Sequence, residues 1–521
     1  MKNKKIFIIA ILCCFLLNKI QSQESVNKPN VLFIICDDLN DYQGVFGGHP
    51  QAKTPNIDKL AKSGVQFVNA QSNVPVCSPS RNSMITGVYP HNSKDYGWTD
   101  LKKQSVLKNN KTIMRLFKEN GYITLGTGKI THGNMNEDWD EWGMSLKNNY
   151  GPFYFDGKDK KALPTVPEPF AQIGQVDGSF GRLSDVGYSS GKKNEKGFVY
   201  GWDNEPMRYV NDEDRDLLQD ELHVKWALEK MDNLEKREIQ KPFFMGIGFV
   251  RPHTPLHAPD KYFDMFPLEN IQLDAWRKED TNDTHWKDNF DSNQKGARYY
   301  KTLLASYDGD RELAMKHFLQ AYLACVAFVD EQVGRLLEGL ENSKFKDNTI
   351  VIFTSDHGWQ MGEKDYLFKN SPWEESARIP MIIKTPETKS GVKVDQPVSL
   401  IDLYPTLIDL CDLKGNHKKN ENAGNLGGFS LKPFLKNKPH KWKGPNGALT
   451  VVGNYGIQIP TEKQNFSYRT KNWRYIRYNN GQEELYNHQN DSYEWINLAD
   501  DKKYQIIKSK LKKDMNQIIK K

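Results

Sequence analysis

Four short apolar runs in this chain each break off into a knot of charged or polar residues. VLFIIC runs into Asp37 and Asp38, YITLG into residues 128–132, FFMGIGFV into residues 251–257, and TIVIFT into residues 355–358. A run without polar alternation, such as residues 30–36 or 243–250, is the pattern of a strand covered on both faces. Helical stretches separate the runs. In TPNIDKLAKSG, Thr54 stands at the N-cap position, Pro55 at the first helical position and Gly64 past the end. KTIMRLFKENG stops at Gly121, and residues 214–236 and 311–341 read as long helices. This alternation predicts an α/β sandwich around a mostly parallel sheet. Sites in such sheets lie beyond the carboxyl ends of the strands. All four polar knots fall there, which predicts one active site.

The C-terminal part follows a different pattern. GGFSLKPFL, residues 427–435, reads as the close of the large domain. Beyond it, short aromatic runs alternate with Asn/Gly turns, which predicts a small antiparallel sheet and a final helix near residues 504–519. The expected organisation is a leader over residues 1–22, a catalytic domain over 23–435 and a subdomain over 436–521. Lys2, Lys4 and Lys5 precede an apolar run from Ile6 to Leu17, too short for a membrane span of about 20 residues. Ile20 and Ser22 place cleavage near Ser22 and Gln23, so the protein is expected to be exported, periplasmic or secreted. No later segment reads as a membrane span. Removing residues 1–22 takes away four lysines and no acid, which lowers the formal charge from +6 to +2. That near-neutral balance speaks against nucleic acid as a partner.

Of the six cysteines, Cys13 and Cys14 leave with the leader. The remaining four are too few for a disulfide scaffold. Cys36 ends a strand run, Cys325 and Cys411 sit in apolar helical stretches, and all three read as core. Cys77, in VPVCSPSRNSMITG, alone has polar, turn-forming neighbours.

That stretch carries a resemblance. Cys77-Ser78-Pro79-Ser80-Arg81, followed by Met84-Ile85-Thr86-Gly87, fits the C-x-P-x-R signature of the type I sulfatases. Three fixed residues in five can arise by chance, so the other strand ends carry weight. The segment from Gly121 to His132 resembles the second signature of that family, with Lys129 and His132 in place and Thr127 and Thr131 off its usual residues. RPHTPLHAP resembles the segment with a further active-site histidine, here His253. MGEKDYLFKNSPWEES resembles the segment with a sulfate-binding lysine; Lys369 matches and Lys364 is out of register. These pieces occur in family order over nearly the whole mature chain. Asp356-His357, KPFFMGIGFVRPHTP and YLACVAFVDEQVGRLL look most like the iduronate-2-sulfatases, and bacterial relatives act on sulfated polysaccharides.

The resemblance implies an alkaline-phosphatase-like fold and a set of roles. A maturase would convert Cys77 to formylglycine, reading Pro79 and Arg81. One calcium ion would be held by Asp37, Asp38, Asp356, His357 and the modified residue 77; histidine is an uncommon calcium ligand. The hydrated aldehyde would attack sulfur, with Arg81 easing the developing charge. Lys129 and Lys369 would hold the sulfate, His253 would protonate the leaving sugar oxygen, and His132 would act as base to release sulfate. The substrate would be a sulfated oligosaccharide or polysaccharide containing iduronate, rhamnose or galactose. Trp98, Trp359 and Trp373 lie near motif loops and could stack on sugar or belong to the core. Two other readings remain open: a phosphodiesterase or phosphonate monoester hydrolase of the same superfamily, and an inactive glycan-binding homologue.

Overall fold

The computed structural model describes residues 28–520 except 134, 145–149, 239–240, 287–293, 389 and 454–458. The expected leader and its cleavage site lie outside the described residues. Eight strands form the central sheet: β1 (Asn30–Asp37), β2 (Val65–Phe67), β3 (Ile123–Gly128), β4 (Glu141–Trp142), β5 (Phe243–Pro252), β6 (Thr349–Ser355), β7 (Met381–Lys384) and β8 (Val392–Val394). Their spatial order is β8-β2-β7-β6-β1-β5-β3-β4. All neighbours run parallel except β7, which is antiparallel to both β6 and β2.

β1 is buried along its whole length, as its unbroken apolar run predicts. Its side chains still alternate between faces. Leu32, Ile34 and Cys36 join one core, Val31, Phe33 and Ile35 the other. Helices Gln219–Glu235 and Arg311–Glu341 supply the first core. Helices Cys77–Thr86, Ile113–Glu119 and Leu403–Cys411 supply the second. Parallel pairing brings Cys36 opposite Ser355 and Gly248 opposite Gly128. The strands therefore end level, and their polar extensions meet at one edge.

Several elements depart from sequence expectation for identifiable reasons. The helix expected over 214–236 begins at Gln219. Residues before it are held otherwise: Arg215 bridges to Tyr209, and its guanidinium grips Glu221 at 2.7 and 2.9 Å. Glu221 also accepts the Leu218 amide at 2.7 Å and so caps the start. At Pro55–Ser63 the side chain of Thr54 does not cap. Asp330, buried on the long helix, accepts the Asn56 and Ile57 amides at 3.2 and 2.8 Å instead. The long helix itself, Arg311–Glu341, corrects the expectation that no later segment is apolar enough to span a membrane. It has the length and hydropathy, because most of it is buried against β5 and the neighbouring helices rather than facing water. Cys36, Cys325 and Cys411 are buried free thiols in the core.

A second sheet of four antiparallel strands, Gly447–Val452, Asn465–Thr470, Trp473–Arg477 and Glu483–Asn487, packs against the C-terminal helix Gln505–Ile519. Its first strand is tied to the loop before Cys77. The Val451 amide donates to the Asn73 carbonyl at 2.8 Å, and the Thr450 hydroxyl to the Ser72 carbonyl at 2.6 Å.

Candidate active site

Cys77 is the first residue of its helix, so its side chain lies at the positive end of the helix dipole. It is buried, and its sulfur meets three groups from other segments. Lys369 Nζ is 3.0 Å away, His357 Nε2 3.2 Å and Asp38 Oδ1 3.8 Å. One turn along the helix, Arg81 is fully buried and joins two strand ends. Its Nε donates to Asp356 Oδ2 at 2.9 Å and its Nη2 to Asp37 Oδ1 at 3.2 Å. Its Nη1 donates to the carbonyls of Lys129 and Ile130. Lys129 Nζ pairs with Asp37, and Lys369 Nζ with both oxygens of Asp38 at 2.8 and 2.9 Å.

The backbone is shaped to allow this. Asp38 adopts a left-handed φ of +60°, a conformation aspartate tolerates better than bulkier residues. Its amide donates to Asp356 Oδ1 at 3.2 Å, and its carbonyl accepts the Tyr322 hydroxyl at 2.8 Å. Gly128 has φ +78°, and a Cβ there would collide with the Gly248 carbonyl. Glycine at both positions lets the chain turn over β5 and drop Lys129 into the site.

Three carboxylates, three cations and two histidines thus share a nearly dry space. Burial raises Asp38 well above the usual carboxyl value, and Lys369 does not fully offset it. Burial acts upward on Asp37 too, but Lys129, His253 and Arg81 outweigh it and hold it well below. Burial, then Asp37, push the Cys77 thiol up, so the unmodified side chain is a thiol at neutral pH and a weak nucleophile. The two histidines share a tautomer. His357 Nδ1 is 3.0 Å from the Gly358 carbonyl and His253 Nδ1 2.5 Å from the Thr254 carbonyl. Carbonyls only accept, so both Nδ1 atoms carry protons. In the neutral rings both Nε2 lone pairs then face the carboxylates: His357 Nε2 lies 3.4 Å from Asp38 and 3.6 Å from Asp356, and His253 Nε2 3.7 Å from Asp38.

Among the described residues, Asp37, Asp38, Cys77, Arg81, Lys129, His253, Asp356, His357 and Lys369 each touch another of the set. His132 is half-buried; burial, then Lys129, lower it to about 3, so it is a neutral base. Lys364 Nζ is buried against Asp280 at 2.9 Å, whereas Lys369 Nζ lies 3.0 Å from Cys77 Sγ. Trp359 and Trp373 are core: the first packs on Phe368 and the second donates its indole N–H to Glu484 at 3.1 Å. Sequence reasoning missed Tyr150. Its ring lies under Lys129 Nζ at 4.7 Å and edge-on to His253 at 5.3 Å. The sequence around it carries no local pattern, so no signal pointed to it. Also missed were Ser72 and Ser80, whose hydroxyls donate to the Asp356 carbonyl at 2.7 and 2.6 Å and fix that strand end.

The chain is also similar to known proteins. The chain matches the sulfatase family over residues 29–413, and the family described as N-sulphoglucosamine sulphohydrolase, C-terminal, over residues 362–521. It is 33% identical to a sulfatase of Formosa agariphila over 508 residues, 95% of this chain and 88% of the relative. It is 26% identical to the iduronate 2-sulfatase of Mus musculus over 434 residues, 78% of this chain and 73% of the relative. A phosphonate monoester hydrolase from Silicibacter pomeroyi shares the fold, with a TM-score of 0.68 at 20% identity over 94% of this chain and 95% of that one. The fold alone therefore does not separate attack at sulfur from attack at phosphorus. Family matches spanning most of the chain do: the protein belongs to the sulfatase family and is a sulfuric ester hydrolase.

Proposed function

We propose that this protein removes sulfate from a sulfated oligosaccharide or polysaccharide, with a formylglycine made from Cys77 and a calcium ion beside it. The observation that carries the reading is the position of Cys77 Sγ. It sits where Lys369, His357 and Asp38 converge, yet as a protonated thiol it has no task of its own.

The residues present fit a hard dication. Asp37, Cys77, Asp356 and His357 offer ligand atoms within 4.8 Å of one another, and so do Asp37, Asp38, Cys77 and His253. Carboxylate oxygens suit calcium or magnesium, and the Nε2 lone pair of His357 is aimed among them. Three carboxylates and three cationic side chains cancel, so a dication leaves the site net positive. An anionic substrate and a developing oxyanion are then favoured there. When bound, calcium would supply Lewis acidity toward sulfate oxygens, and the hydrated aldehyde an oxygen nucleophile with a second hydroxyl.

The chain's own residues do the rest. Arg81, fixed by Asp37 and Asp356, holds positive charge behind position 77. Lys129 and Lys369, paired with Asp37 and Asp38 at rest, turn to the sulfate oxygens. His253, kept neutral by burial and then by Lys369, presents its Nε2 lone pair to take the proton of the attacking hydroxyl and pass it to the leaving oxygen. His132, neutral, takes the proton whose loss expels sulfate. A cleaved leader and export to a periplasmic or extracellular space fit the same reading, as does a maturase acting before folding buries Cys77.

Peptide mass spectrometry of active protein tests it. The Cys77 peptide should be lighter by about 18 Da, the change from thiol to aldehyde. Active protein with only a thiol at position 77 overturns the mechanism. Aryl sulfate turned over faster than an aryl phosphonate monoester is the expected preference; the reverse would favour the phosphonate reading.

A further inference from the structure

Of the three tryptophans near the motif loops, only Trp98 stays in solvent: it is 48% exposed, against 3% for Trp359 and 2% for Trp373. Its place is tied to the catalytic centre. The next residue, Thr99, accepts the Ser78 hydroxyl at 3.1 Å through its carbonyl and donates its amide to the same oxygen at 3.3 Å. Ser78 follows Cys77. A cation from a distant segment lies over the indole: Lys295 Nζ is 5.7 Å from the Trp98 ring centroid. The same ammonium is 5.3 Å from the ring of Phe368, the residue before Lys369. Lys295 is also 3.9 Å from Asp177 Oδ2, with its side chain 42% exposed. That pairing is loose, because the Asp177 carboxylate already accepts the Thr254 hydroxyl and the Tyr299 hydroxyl, each at 2.8 Å. Thr254 follows His253.

Three segments, linked to residues next to Cys77, His253 and Lys369, therefore bring an exposed indole and a solvent-facing ammonium together. An indole face takes the apolar face of a sugar ring, and an ammonium within reach of it takes an anion. A neutral sugar hydroxyl can accept a hydrogen bond from this ammonium, but an anionic group gains the charge as well and makes the stronger contact. Lys129 and Lys369 are committed to the scissile sulfate and do not serve this one. We propose that Trp98 and Lys295 form the sugar subsite. The indole stacks on the ring, and Lys295 reads a second anionic group, a carboxylate or another sulfate. The preferred substrate is then a doubly anionic sugar rather than a singly sulfated neutral one. This rests on the sulfatase reading above.

The test uses the full chain and its Trp98→Ala, Lys295→Met and Lys295→Arg variants, each checked for an unchanged melting temperature. Rates are measured on 4-nitrophenyl sulfate, a singly sulfated neutral monosaccharide, and a sulfated uronic acid or disulfated monosaccharide. Trp98→Ala should lose about tenfold in kcat/KM on both sugars and little on the aryl sulfate. Lys295→Met should lose about tenfold on the doubly anionic sugar alone, and Lys295→Arg should keep most of it. Equal losses on all three substrates, or none, overturn the subsite. Calorimetric titration of the doubly anionic sugar keeps the two readings apart. Binding weakened by both variants, with no sulfate release by the parent, would reject the reaction and keep the subsite. Sulfate release with binding unchanged in both variants would reject the subsite and keep the reaction.

Discussion

Around Glu374, five residues beyond Lys369, the protein buries a second set of acids and bases. Arg469 donates to Glu374 at 3.0 and 3.3 Å, and Arg474 donates to both Glu374 and Glu494. Glu494 also accepts the Glu374 amide at 3.0 Å. By ligand spacing alone, Glu374, His488 and Glu494 could hold a metal as readily as the Cys77 cluster. The histidines tell the two apart. His488 Nδ1 faces Arg469 Nη2 at 3.0 Å, and arginine only donates, so Nδ1 accepts and Nε2 carries the proton to Glu494 at 2.8 Å. Both ring nitrogens are spent. In the Cys77 cluster, His357 and His253 each keep an Nε2 lone pair pointed inward. One cluster closes on itself and pins the antiparallel sheet to the segment that carries Lys369. The other keeps two ring nitrogens open among its carboxylates.

The largest test of that contrast is reciprocal. Cys77→Ala should lower sulfate release on the order of 10⁴-fold or more while leaving the melting temperature near that of the parent. A folded Cys77→Ala protein with substantial activity would dissolve the distinction.

A second test separates histidines by role. If His253 is the acid, His253→Ala should lose about 10²-fold or more on a sulfated sugar, whose alkoxide needs a proton, and much less on 4-nitrophenyl sulfate. His132→Ala should slow both and let sulfated enzyme build up, visible by intact mass. His488→Ala should show no dependence on the leaving group. Equal losses for His253→Ala on both substrates would remove it from the acid role.

In stability the ranking reverses. Arg474→Leu takes a buried cationic partner from each of two buried carboxylates and should cost about 3–5 kcal/mol, read from denaturant unfolding. An undisturbed unfolding midpoint would mean the pin carries no load. Metal should act on the other cluster only. Calcium at about 100 times its dissociation constant should stabilise the protein by about 2.7 kcal/mol. Asp356→Asn should weaken that response, and Glu494→Gln should not. A loss in Glu494→Gln would move the metal to the wrong cluster.

Legibility followed sequence range. The Asp37, Lys129, His253 and Asp356 knots were readable because each ends a local apolar run, and parallel strands of matched register must bring such ends together. Arg311–Glu341 was readable as a long helix, and its start is a local matter too, since Asp310 accepts the Leu313 amide at 3.0 Å. The Glu374 cluster was not readable. WEES closes a motif segment and NWRYIR reads as an aromatic strand, but nothing local marks Glu374, Arg469 and Arg474 as partners until the second sheet folds onto the first. Tyr150 and the Trp98–Lys295 pair were hidden for the same reason, since partners far apart in the chain define them. The tautomers that separate the two clusters depend on single carbonyls and guanidinium groups, which no spacing rule encodes.

The smallest effect concerns acid. In the closed cluster both carboxyls shift the same way. Burial acts upward on Glu374, but Arg469 and Arg474 outweigh it and hold it well below the usual value. Burial also acts upward on Glu494, and Arg474 with His488 again win. A depressed carboxyl adds stability that is complete above its unfolded value, about 4.3 for glutamate, and is lost as pH falls through the folded value. The two contributions add, because the unfolded chain binds more protons than the folded one over the same window. In the Cys77 cluster Asp37 is shifted down and Asp38 up, so their slopes oppose each other. Unfolding free energy measured from about pH 5 down to about pH 3 should therefore fall along a limb set more by the Glu374 cluster. Glu494→Gln should flatten that limb, and Asp38→Asn should not. If both variants keep the parent's slope, the acid sensitivity lies elsewhere; if Asp38→Asn alone flattens it, the charge balance assigned to the two clusters is inverted.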